Sequence, residues 1–202
     1  MHNTLLKICG ITNLDDASLC LDLGADMLGV ILDPSISRHG NRKLIDQIRE
    51  IGGLACAVYT DKRQFYGEVL NEDISQLHFL FNEDDMAYCH SMGKKVMAVA
   101  STSFVTGVEE RVMQLRSMNP DEILLDFRDG ASGHASEINR IFSTGRTGLA
   151  GKIDINNIMK IMETRPSLID VSSSLESYPG KKDKEKTRMF MERAGELIAG
   201  LA

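Results

Sequence analysis

The sequence has no tryptophan, only four prolines and four cysteines, and just 5% aromatic residues. Cys9, Cys20, Cys56 and Cys89 stand far apart, with no Cys-x-x-Cys pair and no histidine at ligand spacing. That excludes a disulfide framework and the usual zinc sites, and predicts reduced thiols. His39, His90 and His134 show no ligand spacing among themselves, so neither a metal nor an organic cofactor is expected. Positive charge is also scarce. With 23 Lys and Arg against 29 Asp and Glu, the net charge is −6, and counterion release from nucleic acid has no global source. No nucleic-acid partner is expected, whereas small anions remain open because helix N-termini bind phosphate whatever the net charge. No apolar run approaches the ~18 residues of a spanning helix, and the opening Met1 to Lys7 lacks the basic and long apolar regions of a secretory leader. A cytoplasmic protein without membrane contact is expected. No low-complexity linker marks a boundary, so residues 1–202 are read as a single domain, large enough to bury roughly 70% of its unfolded surface without staples.

What the chain does have is rhythm. Eight short apolar runs, rich in β-branched residues, begin at Leu5 to Cys9, Met27 to Leu32, Leu54 to Tyr59 and Ile74 to Leu80. They continue at Val96 to Ala100, Glu122 to Phe127, Thr147 to Gly151 and Leu168 to Ser172. Continuous rather than alternating apolarity suits strands buried on both faces, as in a parallel sheet covered by helices. Helix signals fill the gaps. Asn13 and Asp16 open a helix through Leu14, Ala17 and Leu21 that Gly24 stops. Asp154 precedes a stripe of Ile155, Ile158, Met159 and Met162, and Asp183 opens a last helix with Phe190, Ala194, Leu197, Ile198 and Leu201 on its apolar face. The 11 methionines read mainly as core filling. Eight β/α units predict an α/β fold, a single-domain (β/α)8 TIM barrel with short loops, and a doubly wound open sheet is the alternative.

In a parallel barrel the active face lies at the strand C-termini, so polar residues that end apolar runs are the candidates. Cys9 ends the first run before Gly10, and Asp126 ends the sixth. After the seventh and eighth, Leu149-Ala150-Gly151 and Asp170-Val171-Ser172-Ser173-Ser174 lead into turns where a phosphate cradle is usual. By position alone each also has a plain reading: Cys9 as a buried apolar side chain, Asp126 as a loop cap, the serines as ordinary turns, and His78 as a hydrogen-bonded strand end.

Several segments together favour the functional reading. Lys7-Ile8-Cys9-Gly10-Ile11-Thr12, Gly24-Ala25-Asp26-Met27-Leu28-Gly29, Gln76-Leu77-His78, Leu125-Asp126, Leu149-Ala150-Gly151 and Asp170-Val171-Ser172-Ser173 are followed by Glu176-Ser177, Pro179-Gly180 and Lys182-Asp183. In this order, over nearly the whole chain, they resemble the phosphoribosylanthranilate isomerase family. The resemblance implies an isomerase of tryptophan biosynthesis that carries out an Amadori rearrangement of a small phosphosugar, as a monomer or homodimer. Asp126 would match the family acid that protonates the ribose ring oxygen, and Cys9 the base that removes the C2 proton. Lys7, two residues below Cys9 on the same strand face, would favour the thiolate. Asp126 has to carry its proton at the start, which calls for a partly desolvated site. Arg38 would hold the anthranilate carboxylate as a planar fork, Lys7 and His78 would contact substrate, and Gly151, Lys152, Ser172, Ser173 and Ser174 would bind phosphate.

The departures from the family pattern cluster in loops. Gly151 is followed by Lys152 where a second glycine is usual, and Ser174 replaces the glycine of Ser-Ser-Gly. Gly130 to Ser136 depart from a Gly-Gly-Ser/Thr-Gly-Lys segment, Phe79 replaces a glycine, and the proline before Arg38 is missing. Two alternatives to the isomerase remain at this level: a related barrel acting on another phosphosugar, and a phosphate-binding relic without catalysis.

Overall fold

The structure, a computed structural model, describes residues 4–67, 69–102, 107–145 and 147–201, apart from the side chain of Leu201. Residues 1–3 and the predicted apolar contact of Leu201 therefore lie outside the described residues. Eight strands form a closed barrel in chain order: β1 (Leu5–Cys9), β2 (Met27–Ile31), β3 (Ala55–Tyr59), β4 (Ile74–Leu77), β5 (Lys95–Ser101), β6 (Glu122–Asp126), β7 (Gly148–Ala150) and β8 (Leu168–Val171). All neighbours are parallel, and β8 closes onto β1 with Lys7 opposite Asp170. Closure eliminates the open-sheet alternative. It also leaves no strand edge with unpaired amides.

Helices α1 (Leu14–Asp22), α2 (Arg42–Glu50), α3 (Lys62–Gly67), α4 (Glu83–Ser91), α5 (Val108–Ser117), α6 (Ala135–Ser143), α7 (Ile158–Met162) and α8 (Lys184–Leu201) cover the outside. Side chains alternate across the strands. Leu6, Ile8, Leu28, Val30, Ala57 and Leu125 point outward into the main core under the helices. Met27, Cys56, Ile74, Met97, Leu124 and Leu168 fill the barrel, and Cys9, Ile31 and Val58 form a smaller cluster above them. Both strand faces are buried, which is why the runs read as continuously apolar. All four cysteines are free and buried. Not all methionines serve as filling: Met113 and Met159 are 62% and 56% exposed. Among the described residues, no helix is long and apolar enough to cross a membrane.

The caps follow the sequence where side chains dictate them. Asn13 Oδ1 accepts from the Asp16 amide at 2.9 Å, and Asp183 Oδ1 accepts from the amides of Glu185 and Lys186 at 3.0 Å. The stretch after Asp154 differs. Asp154 Oδ1 accepts from the amides of Asn156 and Asn157, while Asn157 Oδ1 accepts from the Asp154 amide. This reciprocal turn satisfies the groups that a longer helix would use, so α7 starts only at Ile158. Of the predicted stripe, Ile158 and Met162 are buried together with Ile161, while Ile155 and Met159 are exposed. A second difference follows β8. The expected turn after β8 is a single 3-10 turn at Ser173–Leu175, and the chain then forms an antiparallel hairpin, β9 (Glu176–Tyr178) and β10 (Lys181–Lys182), before α8.

Candidate active site

The strand C-termini surround one cavity of about 320 Å³. Cys9, Arg38, His78, Asp126, Gly151, Lys152, Ser172, Ser173 and Ser174 all line it, so residues more than 160 positions apart in sequence meet in one place. Lys7 does not line it. Its side chain is fully buried beneath the cavity floor, where Nζ donates to Asp170 Oδ2 at 2.6 Å. Lys7, expected to contact substrate, is engaged with Asp170 inside the barrel instead of lining the cavity. Burial alone would discharge an ammonium, but the Asp170 carboxylate overcomes it and holds Lys7 charged, with its pKa raised.

Cys9 sits just above this pair. A β-carbon on Gly29 would fall 2.8 Å from Cys9 Sγ and 3.1 Å from Lys7 Nζ, so glycine here leaves room for both and makes the thiol and ammonium neighbours. Lys7 does favour the thiolate, by its charge and by a hydrogen bond, yet the net result is a raised thiol. Burial pushes the Cys9 thiol up, and the opposing pull of Lys7 is smaller. Lys7 moderates a penalty that the interior position imposes.

Across the barrel, Asp126 ends β6. Ser101 Oγ donates to Asp126 Oδ2 at 3.0 Å, and His78 Nε2 lies 3.4 Å from the same oxygen. Burial makes His78 less basic than usual, against the pull of Asp126, which favours a neutral imidazole beside the carboxylate. Arg38 arrives on the loop after β2 and lies close against Gly10, whose β-carbon would meet its Cδ at 3.0 Å. Its Nη2 is 3.5 Å from Glu176 Oε2, while its Nε is buried with no partner among the described residues.

Glu176 and Lys182, present in the motif but given no role there, are buried supports. Lys182 Nζ donates to the carbonyls of Cys9 (2.7 Å) and Ser172 (3.2 Å) and to Glu176 Oε1 (3.2 Å). One ammonium thus ties the ends of β1 and β8 to the group that holds Arg38. A charged pair six residues apart in a turn-rich segment has no periodic signal, and only its membership in a long motif could have pointed to it. Asp170 was missed in the same way, because a carboxylate one residue inside an apolar run reads as a strand end.

The loop departures have physical explanations. Gly151 has φ +113°, and a β-carbon would stand 2.2 Å from the Phe127 carbonyl oxygen, so only glycine fits. Lys152 keeps the left-handed backbone of the missing second glycine, at φ 48°. Its stem packs over Gly130, and its charge helps the His134 hydrogen bond keep the exposed Asp129 carboxyl low. Ser174 Oγ donates to the Ile153 carbonyl at 2.6 Å, and Ser172 Oγ to the Cys9 carbonyl at 3.0 Å, so both hydroxyls tie loops together. Phe79 turns into the core against Phe65 and Phe81. His134 stacks on Phe127 at 4.3 Å and bonds Asp129 and Glu137, bracing the loop after β6. Among the described residues no cluster of three His, Cys, Asp or Glu side chains is placed to hold a metal.

Comparison with known proteins agrees with this geometry. The N-(5'-phosphoribosyl)anthranilate isomerase family profile matches residues 6–193. The protein of that name from Thermoplasma volcanium is 35% identical over 188 residues, covering 93% of this chain and 94% of the relative. The crystal structure of the phosphoribosyl anthranilate isomerase from Thermus thermophilus superposes with a TM-score of 0.81 at 27% identity, over 96% of this chain and all of that one. The Thermotoga maritima enzyme gives the same TM-score at 25% identity, over 96% and 99% of the two chains. With the fold, the cavity and the sequence in agreement along nearly its whole length, this chain belongs to the N-(5'-phosphoribosyl)anthranilate isomerase family.

Proposed function

We propose that this protein, as a single barrel domain spanning residues 1–202, isomerises N-(5-phosphoribosyl)anthranilate to 1-(carboxyphenylamino)-1-deoxyribulose 5-phosphate in tryptophan biosynthesis, with Asp126 as acid and Cys9 as base. The observation that carries the assignment of roles is their placement: a carboxylic side chain on β6 and a thiol on β1 border one cavity from opposite sides. Asp126 gives its proton to the ribose ring oxygen, and the C1–O bond breaks to leave an iminium at C1. Cys9 takes the proton from C2, the electron pair forms the enolamine, and tautomerisation yields the ketone. Ser101 and His78 hold Asp126 on the ring-oxygen side. Arg38, backed by Glu176 and Lys182, meets the anthranilate carboxylate as a fork. The phosphate binds between the β7 and β8 turns, at the backbone of Gly151, Ser172, Ser173 and Ser174, and Lys152 adds a positive charge at the rim.

Phe79 and His134 point away from the cavity, which supports an unaltered substrate over a different phosphosugar. Conversion is followed as loss of the substrate's anthranilate fluorescence with purified protein, alongside complementation of a tryptophan auxotroph that lacks this step. Absence of turnover by folded protein at high concentration would favour the relic reading.

A further inference from the structure

Asp170 carries an unused acceptor. Its side chain is 7% exposed, and one carboxylate oxygen, Oδ2, is taken by Lys7. The other, Oδ1, is buried with no hydrogen-bond partner among the described residues, yet Asp170 lines the cavity. A buried carboxylate oxygen left unpaired is costly, and such atoms occur where a ligand supplies the missing donor. The ligand groups available in this cavity are sugar hydroxyls.

Which hydroxyl follows from the neighbours, and the answer rests on the reaction assigned above. Asp170 and Cys9 flank the same Lys7 ammonium, on adjacent strands β8 and β1. Asp126 and His78 face this pair across the cavity from β6 and the end of β4. The carbon that gives its proton to Cys9 carries a hydroxyl on the same centre. A base and an acceptor side by side therefore match the two substituents of C2. We propose that Asp170 is a substrate-positioning residue, whose Oδ1 accepts the hydrogen bond of the C2 hydroxyl and so turns the C2–H bond toward Cys9. Lys7 supports this from below by orienting Asp170 and opposing the rise that burial imposes on its carboxyl. The pair explains why a lysine is kept in a barrel interior where it does not line the cavity.

The test is the affinity of two inert ligands, the product with its ketone reduced to a C2 hydroxyl and the same compound lacking that hydroxyl, measured by calorimetry. The parent protein is expected to prefer the hydroxylated ligand roughly ten- to a hundredfold, the worth of a hydrogen bond to a charged group. In Asp170→Asn the preference should fall to threefold or less, while both ligands still bind through Arg38 and the phosphate turns. Should the single variant unfold, Lys7→Met/Asp170→Ala, which removes both buried charges, gives the same readout and should show no preference. A full preference retained in either folded variant overturns the assignment, as does a parent that does not distinguish the ligands. If the parent binds neither ligand, the isomerase reading falls and this inference falls with it. A purely structural role for Asp170 would lower affinity for both ligands equally and leave their ratio intact.

Discussion

Replacing Lys7 with methionine tests the electrostatics of the barrel interior. The substitution keeps the volume and removes the ammonium, leaving Asp170 buried without its cation. Breaking a buried ion pair by deleting one partner costs about 3–5 kcal/mol, because the remaining charge is stranded. Asp170 has an escape, since it borders a cavity and can take a proton. Protonating a carboxyl with an unfolded pKa near 3.9 at pH 7 costs about 4 kcal/mol, at roughly 1.36 kcal/mol per unit, so the penalty is capped near that value. At pH 5 the cap falls to about 1.5 kcal/mol. Burial already holds the Asp170 carboxyl above its unfolded value in the parent, against the pull of Lys7, and loss of the ammonium raises it further in the variant, so the folded variant binds more protons and its stability rises more steeply as pH falls. In the parent Lys7 adds a second contribution. The folded-state pKa of Lys7 is raised, so its contribution is complete below the unfolded lysine range and is lost only as pH rises beyond it. Thermal melting followed by circular dichroism should place Lys7→Met roughly 6–16 °C below the parent at pH 7, and much closer at pH 5. Adding Asp170→Asn should restore most of the loss at pH 7, since a neutral pair strands no charge. An equal loss at both pH values, or a double variant no more stable than the single, would refute the reasoning.

Four further outcomes are expected. Cys9→Ala and Asp126→Asn should each lower kcat by on the order of 10² or more while product binding stays within a few fold; full activity in Cys9→Ala returns the thiol to a packing role. Arg38→Ala should raise KM strongly with kcat largely kept, since the carboxylate fork acts in ground and transition states alike, and a selective fall in kcat would contradict that. Because burial raises the Cys9 thiol, its alkylation by iodoacetamide should climb as pH rises above neutrality, and the limb should move to still higher pH in Lys7→Met; a rate that does not change over that range refutes the raised thiol. Lys152→Gly should raise Tm by about 2–4 °C, as relief of a left-handed lysine is worth about 1 kcal/mol, yet weaken phosphosugar binding several-fold; unchanged affinity would place the ammonium in solvent.

The strands were the most legible part of this protein, because burial on both faces leaves a signature that needs no partner to be recognised. β1 matches the run from Leu5 to Cys9, most other runs overshoot by a residue at one or both ends, the run ending at Leu80 passes β4 by three, and β5 extends one residue beyond its run at each end. Asn13 and Asp183 were legible as caps because a cap is local chemistry. The start of α7 was not, since an apolar stripe cannot reveal that Asp154 and Asn157 bond each other first. In the site, Cys9 and Asp126 stand out as reactive groups ending apolar runs. Lys7 was assigned to substrate because strand alternation tells which way a side chain points, and not whether something lies between it and the cavity. Its partner Asp170 is 163 residues away, and the pairing becomes visible only when β8 closes onto β1.

The bonds from Lys182 to the carbonyls of Cys9 and Ser172 also bear on how the protein comes into being on the ribosome. Synthesis is vectorial, and domains begin to organise from the N-terminus as the chain emerges. The Cys9 thiol is made 173 positions before the ammonium that fastens the end of its strand. A nascent chain that has produced all eight strands but not yet the β9–β10 hairpin therefore has a barrel's worth of strands and an unfastened β1 end. Fastening of the β1 end waits on the hairpin that carries Lys182. Cys9 spends that interval as an ordinary cysteine among the chain's other thiols, before burial sets it apart from solvent oxidants.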